Sequence, residues 1–196
     1  MKLILASNSA ARRQMLNNAG YRFEIVPADI DESALKAQHL ESGRSADDLA
    51  LVLANAKAQA VAAHHTDDLV IGSDQVLICD GKVFTKVSDL SRAAQQLAEL
   101  QGRAHVLMSA VACWHQNQPV FQVSETADMT MFRLTAEEID SYLSDTGSSV
   151  LGSVGCYQIE GKGVRLFEKI QGSHFTIMGM PLVPLVKFLK SQSNLQ

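Results

Sequence analysis

Lys2-Leu3-Ile4-Leu5-Ala6-Ser7-Asn8-Ser9-Ala10-Ala11-Arg12-Arg13 is an apolar run that breaks at two serines and resumes as a helix-prone, basic stretch. Residues 2–6 predict a short strand. Residues 10–19 predict a helix, capped by a serine at its start and stopped at Gly20. A strand that feeds a helix through a polar turn is the opening unit of an α/β fold.

The rest of the chain continues in the same style. Residues 21–26 alternate as a second strand and empty into the acidic loop Asp29-Ile30-Asp31-Glu32. Leu49, Val52, Leu53, Ala56 and Ala60 fall at helical spacing within 45–63, so a helix with one apolar stripe is expected there. Leu69-Val70-Ile71-Gly72 is wholly apolar, as in a strand covered on both faces, and this strand is expected to end at Ser73-Asp74-Gln75. A hairpin follows, with 76–79 and 82–84 joined by Asp80-Gly81, a pair that accepts positive φ. A helix over 88–100 ends near Gly102. Strands over 105–114 and 120–132 then flank the turn at 115–118, and Thr135 caps a helix reaching about Leu143. A strand over 164–170 and a helix after Pro181 close the chain. There is no repeat, low-complexity tract or linker, so a single domain over 1–196 is expected.

Composition narrows the function. Hydrophobic residues make up 46% and charged residues 19%, which is enough apolar surface for a folded core and far from a disordered composition. The net charge is −4 and the longest basic run is Arg12-Arg13, so the electrostatic footprint of a nucleic-acid-binding protein is missing. A small anionic ligand remains open, because a pocket can gather a few cations within an acidic protein. The first residues turn polar too soon for a signal peptide, and no apolar run approaches membrane-spanning length; a cytoplasmic protein without a membrane partner is expected. Cys79, Cys113 and Cys156 are odd in number and widely spaced, which argues against a disulfide framework or a zinc site.

Polar and charged residues recur where strands one, two and three are expected to end: Ser7 and Ser9 with Arg12 and Arg13, then Asp31 and Glu32, then Asp74. Ligands of α/β sheets bind beyond such strand ends. Serines and the amides of a helix N-terminus hold phosphate oxygens, arginines add charge-assisted bonds, and carboxylates hold a divalent cation or activate water. Each piece also has a plainer reading. Ser9 can be only a helix cap, Arg12-Arg13 a solvated face, and Asp31-Glu32 an exposed loop. Asp74 stands out, because a carboxylate directly after a buried strand needs a cation or several donors. Lys57 and Lys86 read as snorkelling or solvated lysines. His64-His65 with Asp67-Asp68 reads as a solvated helix end, and Gly161-Lys162-Gly163, which lacks Walker spacing, reads as a turn.

Taken together, Ser7-Asn8-Ser9-Ala10-Ala11-Arg12-Arg13, Asp31-Glu32-Ser33, Lys57-Ala58, Ile71-Gly72-Ser73-Asp74-Gln75-Val76 and Gly179-Met180-Pro181-Leu182 resemble the Maf family of nucleoside triphosphate pyrophosphatases, in the family's own order and over nearly the whole chain. Residues 155–161 are most similar to its alphaproteobacterial branch. The resemblance implies an α/β fold with a long curved mixed sheet flanked by helices, shared with the enzymes that clear inosine triphosphate, in two lobes around a central cleft, and often a homodimer. It implies metal-dependent hydrolysis between the α and β phosphates of modified or noncanonical nucleotides, giving a nucleoside monophosphate and pyrophosphate, and a link to septum inhibition. On this resemblance Asp74 is the proton acceptor and holds Mg²⁺ or Mn²⁺ together with Glu32. Ser7, Ser9, Arg12 and Arg13 bind the phosphates, and Lys57 and Lys86 offset charge on the leaving group.

Base selection in the family is attributed to positions that here are Ala11, Gln75 and Glu160. Gln75 and Glu160 match the branch acting on 7-methyl-GTP, where Glu160 suits a guanine edge and a cationic base. Ala11 departs from that branch, which has an aromatic residue there. The family's Ser-Pro-Arg-Arg is Ser9-Ala10-Ala11-Arg12 here, its Glu-Lys pair is Ala56-Lys57, and its Gly-Lys-Pro loop is Thr85-Lys86-Val87. Two readings of function follow. One is a nucleotide pyrophosphatase; the other is a nucleotide-binding regulatory protein on the same scaffold with weakened chemistry.

Overall fold

The computed structural model describes residues 1–192. The last four residues of the expected domain therefore lie outside the described residues. The opening stretch folds as read: β1 (Leu3–Leu5) runs into α1 (Ala10–Asn18), and Gly20 follows with φ +81°. After it come β2 (Glu24–Ile25), α2 (Glu32–Glu41), α3 (Leu49–Ala62), β3 (Leu69–Cys79), β4 (Lys82–Phe84), α4 (Leu90–Leu100), β5 (Ala104–His115), β6 (Gln118–Met131), α5 (Ala136–Thr146), β7 (Phe167–Gln171), α6 (His174–Ile177) and α7 (Leu182–Lys190).

The strands form one mixed, open, seven-stranded sheet in the order β2-β1-β3-β5-β6-β7, with β4 on β3, and helices flank it. β1 lies parallel to both β2 and β3, with Leu5 opposite Ile25 and Ile71. The β3–β4 and β6–β7 pairs are antiparallel. Asp80-Gly81 and Gln116-Asn117 make the two tight turns with φ of +49°, +77°, +50° and +58°, the positive values that a two-residue hairpin connection takes.

The chain divides into two compact units. The first comprises residues 1–75, 108–125 and the chain from His174 on. Its core gathers Leu3, Leu5, Leu16, Ile71, Val111 and Leu185, so that α1 and α7 bury their apolar faces on the sheet. The second comprises residues 76–107 and 126–173, and buries Leu97, Leu100, Met129, Ile139 and Leu143. α5 opens there on a reciprocal capping box between Thr135 and Glu138.

Several boundaries differ from the sequence reading. The strand expected to end at Ser73-Asp74-Gln75 continues unbroken to Cys79, so Asp74 lies within β3 and not at its end. The polar run Ser73-Asp74-Gln75 imitates a strand end, yet each of its side chains has a partner inside the fold and the strand has no reason to stop. The acidic loop is in part a helix: Asp31 caps α2 by accepting from the Ala34 amide, and Glu32 is its first residue. α2 escapes a pattern-based reading because it presents no apolar stripe; His39 is its one buried residue. β2 covers only the end of the strand expected over 21–26, and the first part of 164–170 is a 3₁₀ turn before β7. No helix among the described residues is long and apolar enough to cross a membrane.

Candidate active site

The site in the first unit starts from a glycine. A Cβ placed on Gly72 would stand 2.1 Å from the Ala54 carbonyl oxygen and 2.7 Å from the Ala58 nitrogen, so the backbone of α3 lies directly on β3 at this point. Two residues further along the strand, on the same face, is Asp74; three residues after Ala54, on the adjoining helix turn, is Lys57. The close approach brings them together. Lys57 Nζ donates to Asp74 Oδ1 at 2.5 Å and pairs with Glu32 Oε1 at 2.9 Å. Asp74 and Lys57 are buried, while the Glu32 side chain is 42% exposed, so the cluster has one wet edge.

A second cluster forms where β1 enters α1. Ser9 is the N-cap and accepts from the Arg12 amide, while its own amide donates to Ser7 Oγ at 3.2 Å. Ser9 therefore is a helix cap, as the plainer reading had it. The role does not exclude anion binding, because the first amides of a helix have no partner within it. Arg12 is buried, with Nε donating to the Gly179 carbonyl at 2.9 Å and Nη1 to Ser7 Oγ at 3.4 Å. Burial lowers the guanidinium pKa, and the charges of Asp74 and Glu32 oppose that shift. An arginine keeps its charge through such a change, so a fixed cation stands in the electrostatic reach of two carboxylates. Arg13 is exposed beside it.

The two clusters are tied through one atom. The Gly179 carbonyl accepts from Arg12 and also from Ser73 Oγ at 3.1 Å, and Ser73 directly precedes Asp74. Gly179 sits at φ +104°, a conformation that favours glycine. Ser73, Ser109 and Thr176, all fully buried, and Glu125 join this network without having been singled out as site residues; a hydroxyl in an otherwise apolar strand was the signal that could have found Ser73 and Ser109, whereas Thr176 in the short α6 and Glu125 in the largely polar β6 carry no such mark.

The remaining expected residues are placed as follows. Ala11 is half-buried on the first turn of α1, and Gln75 is half-buried in β3 with its amide turned to the 176–177 carbonyls. Lys86 and Glu160 are exposed and belong to the second unit. His65 lies 4.0 Å from Asp68 in a surface pair, and no group of three or more His, Cys, Asp or Glu among the described residues is arranged to hold a metal by itself. Cys79, Cys113 and Cys156 are buried thiols, and burial raises the Cys156 pKa to about 11.

The family model described as Maf-like protein matches residues 2–192. The chain belongs to the Maf family. Among curated members, a nucleoside triphosphate pyrophosphatase of Granulibacter bethesdensis is 44% identical over 100% of this chain and 99% of its own length. A nucleoside triphosphate pyrophosphatase of Rhodopseudomonas palustris is 48% identical over 98% and 95%, and a 7-methyl-GTP pyrophosphatase of Rhizobium johnstonii is 47% identical over 96% and 95%. Similarity to Maf proteins thus extends along both units, including the segments that supply Arg12, Lys57, Asp74 and Gly179.

Proposed function

We propose that this Maf protein is a nucleoside triphosphate pyrophosphatase, cleaving the α–β phosphate bond to leave a nucleoside monophosphate and pyrophosphate. The observation that carries the reading is the convergence of Asp74 and Glu32 on the Lys57 ammonium, joined through Ser73 and Gly179 to Arg12 at the N-terminus of α1. A hydrolase acting on a triphosphate needs fixed positive charge for the phosphates and a carboxylate to take a proton from water, side by side.

In this reading the α1 N-terminus, Ser7, Ser9 and Arg12 hold phosphate oxygens, with exposed Arg13 adding charge at the rim. Lys57 steadies Asp74 and offsets charge on the leaving pyrophosphate. Asp74 accepts the proton of the attacking water. The donor set fits Mg²⁺ or Mn²⁺: two carboxylates already gathered round one ammonium offer the hard oxygens such an ion takes, and Mg²⁺ commonly completes its shell with substrate phosphates and water. Glu32 and Asp74 would hold the ion, which when bound supplies Lewis-acid stabilisation of the phosphoryl oxygens. For Lys86, as a further cation, and for Glu160 and Ala11, as base-selecting positions, the support is the family resemblance. A guanine base, 7-methyl-GTP among the candidates, is the proposed preference, and the cytosol the proposed location.

The test is pyrophosphate release from a panel of nucleoside triphosphates including 7-methyl-GTP, with and without Mg²⁺ or Mn²⁺, for the wild type and Asp74→Asn. We expect metal-dependent release, reduced about 10²–10⁴-fold in kcat by the substitution. Nucleotide binding without turnover in the wild type would replace this reading with that of a binding protein on the same scaffold.

A further inference from the structure

Gln75 follows the proposed proton acceptor in sequence, at a position to which the resemblance attaches base reading, but as the next residue of an unbroken strand it faces the opposite side of the sheet from Asp74. Its amide nitrogen is instead spent on the protein. Nε2 lies 3.0 Å from the Thr176 carbonyl, 2.9 Å from the Ile177 carbonyl and 3.1 Å from Ser109 Oγ. Two carbonyls at hydrogen-bond distance fix the orientation of the amide, because its oxygen in the same place would face two acceptors. The two hydrogens of the amide are thus shared among three acceptors, and none is left for a base.

What these bonds hold is one short segment. Ser109 Oγ donates to the Thr176 carbonyl at 2.7 Å, and Thr176 Oγ1 donates to Glu125 at 2.5 Å. Three residues further on, Gly179 presents the carbonyl that orients Arg12 and Ser73. The bonds of Arg12, Ser73 and Ser109 are buried away from competing water, while those of Gln75 and Glu125 are half-buried. The side chains come from β3, β5 and β6, and all of them end on residues 176–179.

We infer that Gln75, with Ser109, Thr176 and Glu125, forms a clamp on the 176–179 segment that sets the Arg12 guanidinium for the phosphate chain, so that Gln75 is a positioning residue and not a donor to the base. The inference rests on the proposed phosphate site. It differs from the base-selecting role that the resemblance attaches to this position, and the two make opposite predictions for a ligand that has no base.

Tripolyphosphate is that ligand. Its affinity in the presence of Mg²⁺ is measured by calorimetry for the wild type, Gln75→Ala, Ser109→Ala, Thr176→Val and Thr176→Ser, with kcat and KM for purine and pyrimidine triphosphates alongside. The clamp predicts that Gln75→Ala weakens tripolyphosphate about tenfold and raises KM for all nucleotides by a common factor, leaving the ratios between bases unchanged. Ser109→Ala and Thr176→Val move in the same direction by about threefold, and Thr176→Ser, which keeps the hydroxyl, restores the wild-type value. An unchanged tripolyphosphate affinity in Gln75→Ala, with altered ratios between bases, overturns the inference and returns Gln75 to base reading. If Gln75→Ala does not fold, the Thr176→Val and Thr176→Ser pair decides by the same criterion. A wild type that binds no tripolyphosphate removes the phosphate site itself and the clamp with it, an outcome distinct from any failure confined to the variants.

Discussion

In the first unit Lys57, Asp74 and Arg12 are buried as charges; in the second, His105 and Tyr157 are buried neutral. Lys57 and Asp74 meet at 2.5 Å with Glu32 beside them, and Arg12 is satisfied by Gly179 and Ser7. His105 is 2% exposed, shares one hydrogen bond of 2.8 Å with the Tyr157 hydroxyl, and packs near Phe167, while its Nδ1 finds no partner among the described residues. Desolvation pushes the His105 pKa down to about 4 and the Tyr157 pKa well up. A charge kept inside a protein needs an opposite charge at contact distance, whereas a histidine can shed its proton and join the core. The difference separates the cluster that the proposed function uses to meet a charged ligand from one that packs as part of the core.

Removing the central cation should break the first cluster most visibly. Lys57→Met leaves Asp74 buried against an apolar group, and a loss of about 2–3 kcal/mol is expected, below the full value for a broken buried pair because Glu32 retains access to water. Urea unfolding of variant and wild type measures it. A variant as stable as the wild type would mean that the ammonium contributes nothing to the fold and serves the ligand alone.

Acid should weaken the second cluster. The folded protein keeps His105 neutral down to about pH 4, whereas its ordinary value is 6.5, so between these values the unfolded chain binds the extra proton. Stability is therefore full above pH 6.5 and falls as the pH falls towards 4. Going from pH 8 to pH 5 should cost about 2 kcal/mol by linkage. His105→Phe should remove that component of the slope, and an identical slope in the variant would show that His105 is not its source.

The smallest contrast compares two helix caps. Ser9→Ala and Thr135→Ala each remove a side chain that accepts from a helix amide, for about 1 kcal/mol of stability. Only Ser9→Ala should also weaken nucleotide binding, as seen by titration with a triphosphate. Equal effects on binding would erase the distinction between a cap at the site and a cap in the scaffold.

Much of the fold was legible because its signals are local. The apolar run before Ser7, the stripe of Leu49 and Leu53, Asp80-Gly81 and Thr135 each specify an element within a few residues. The continuity of β3 through Ser73, Asp74 and Gln75 was not legible, since it depends on partners as distant in sequence as Lys57, Ser109 and Gly179. α2 was missed for want of an apolar face. Of the site, the charged residues could be named from the motifs, but the carbonyl of Gly179 could not: a backbone acceptor leaves no mark on residue type. The same holds for the saturated amide of Gln75, whose identity suggests a reader and whose surroundings leave its nitrogen no bond to offer.

The contact at Gly72 also limits how this sequence can change length. Ala54 and Ala58 are the points of α3 that lie against Gly72, Lys57 lies between them, and Asp74 is counted from the glycine along β3. Substitutions elsewhere on the helix leave this count alone. An insertion or deletion of one residue between Ala54 and Lys57 would turn the lysine by about 100° around the helix axis. Such a chain would keep every amino acid named in the motifs and still lose the pairing, so a search for conserved letters would pass it as intact while a ruler laid from Ala54 to Lys57 would not.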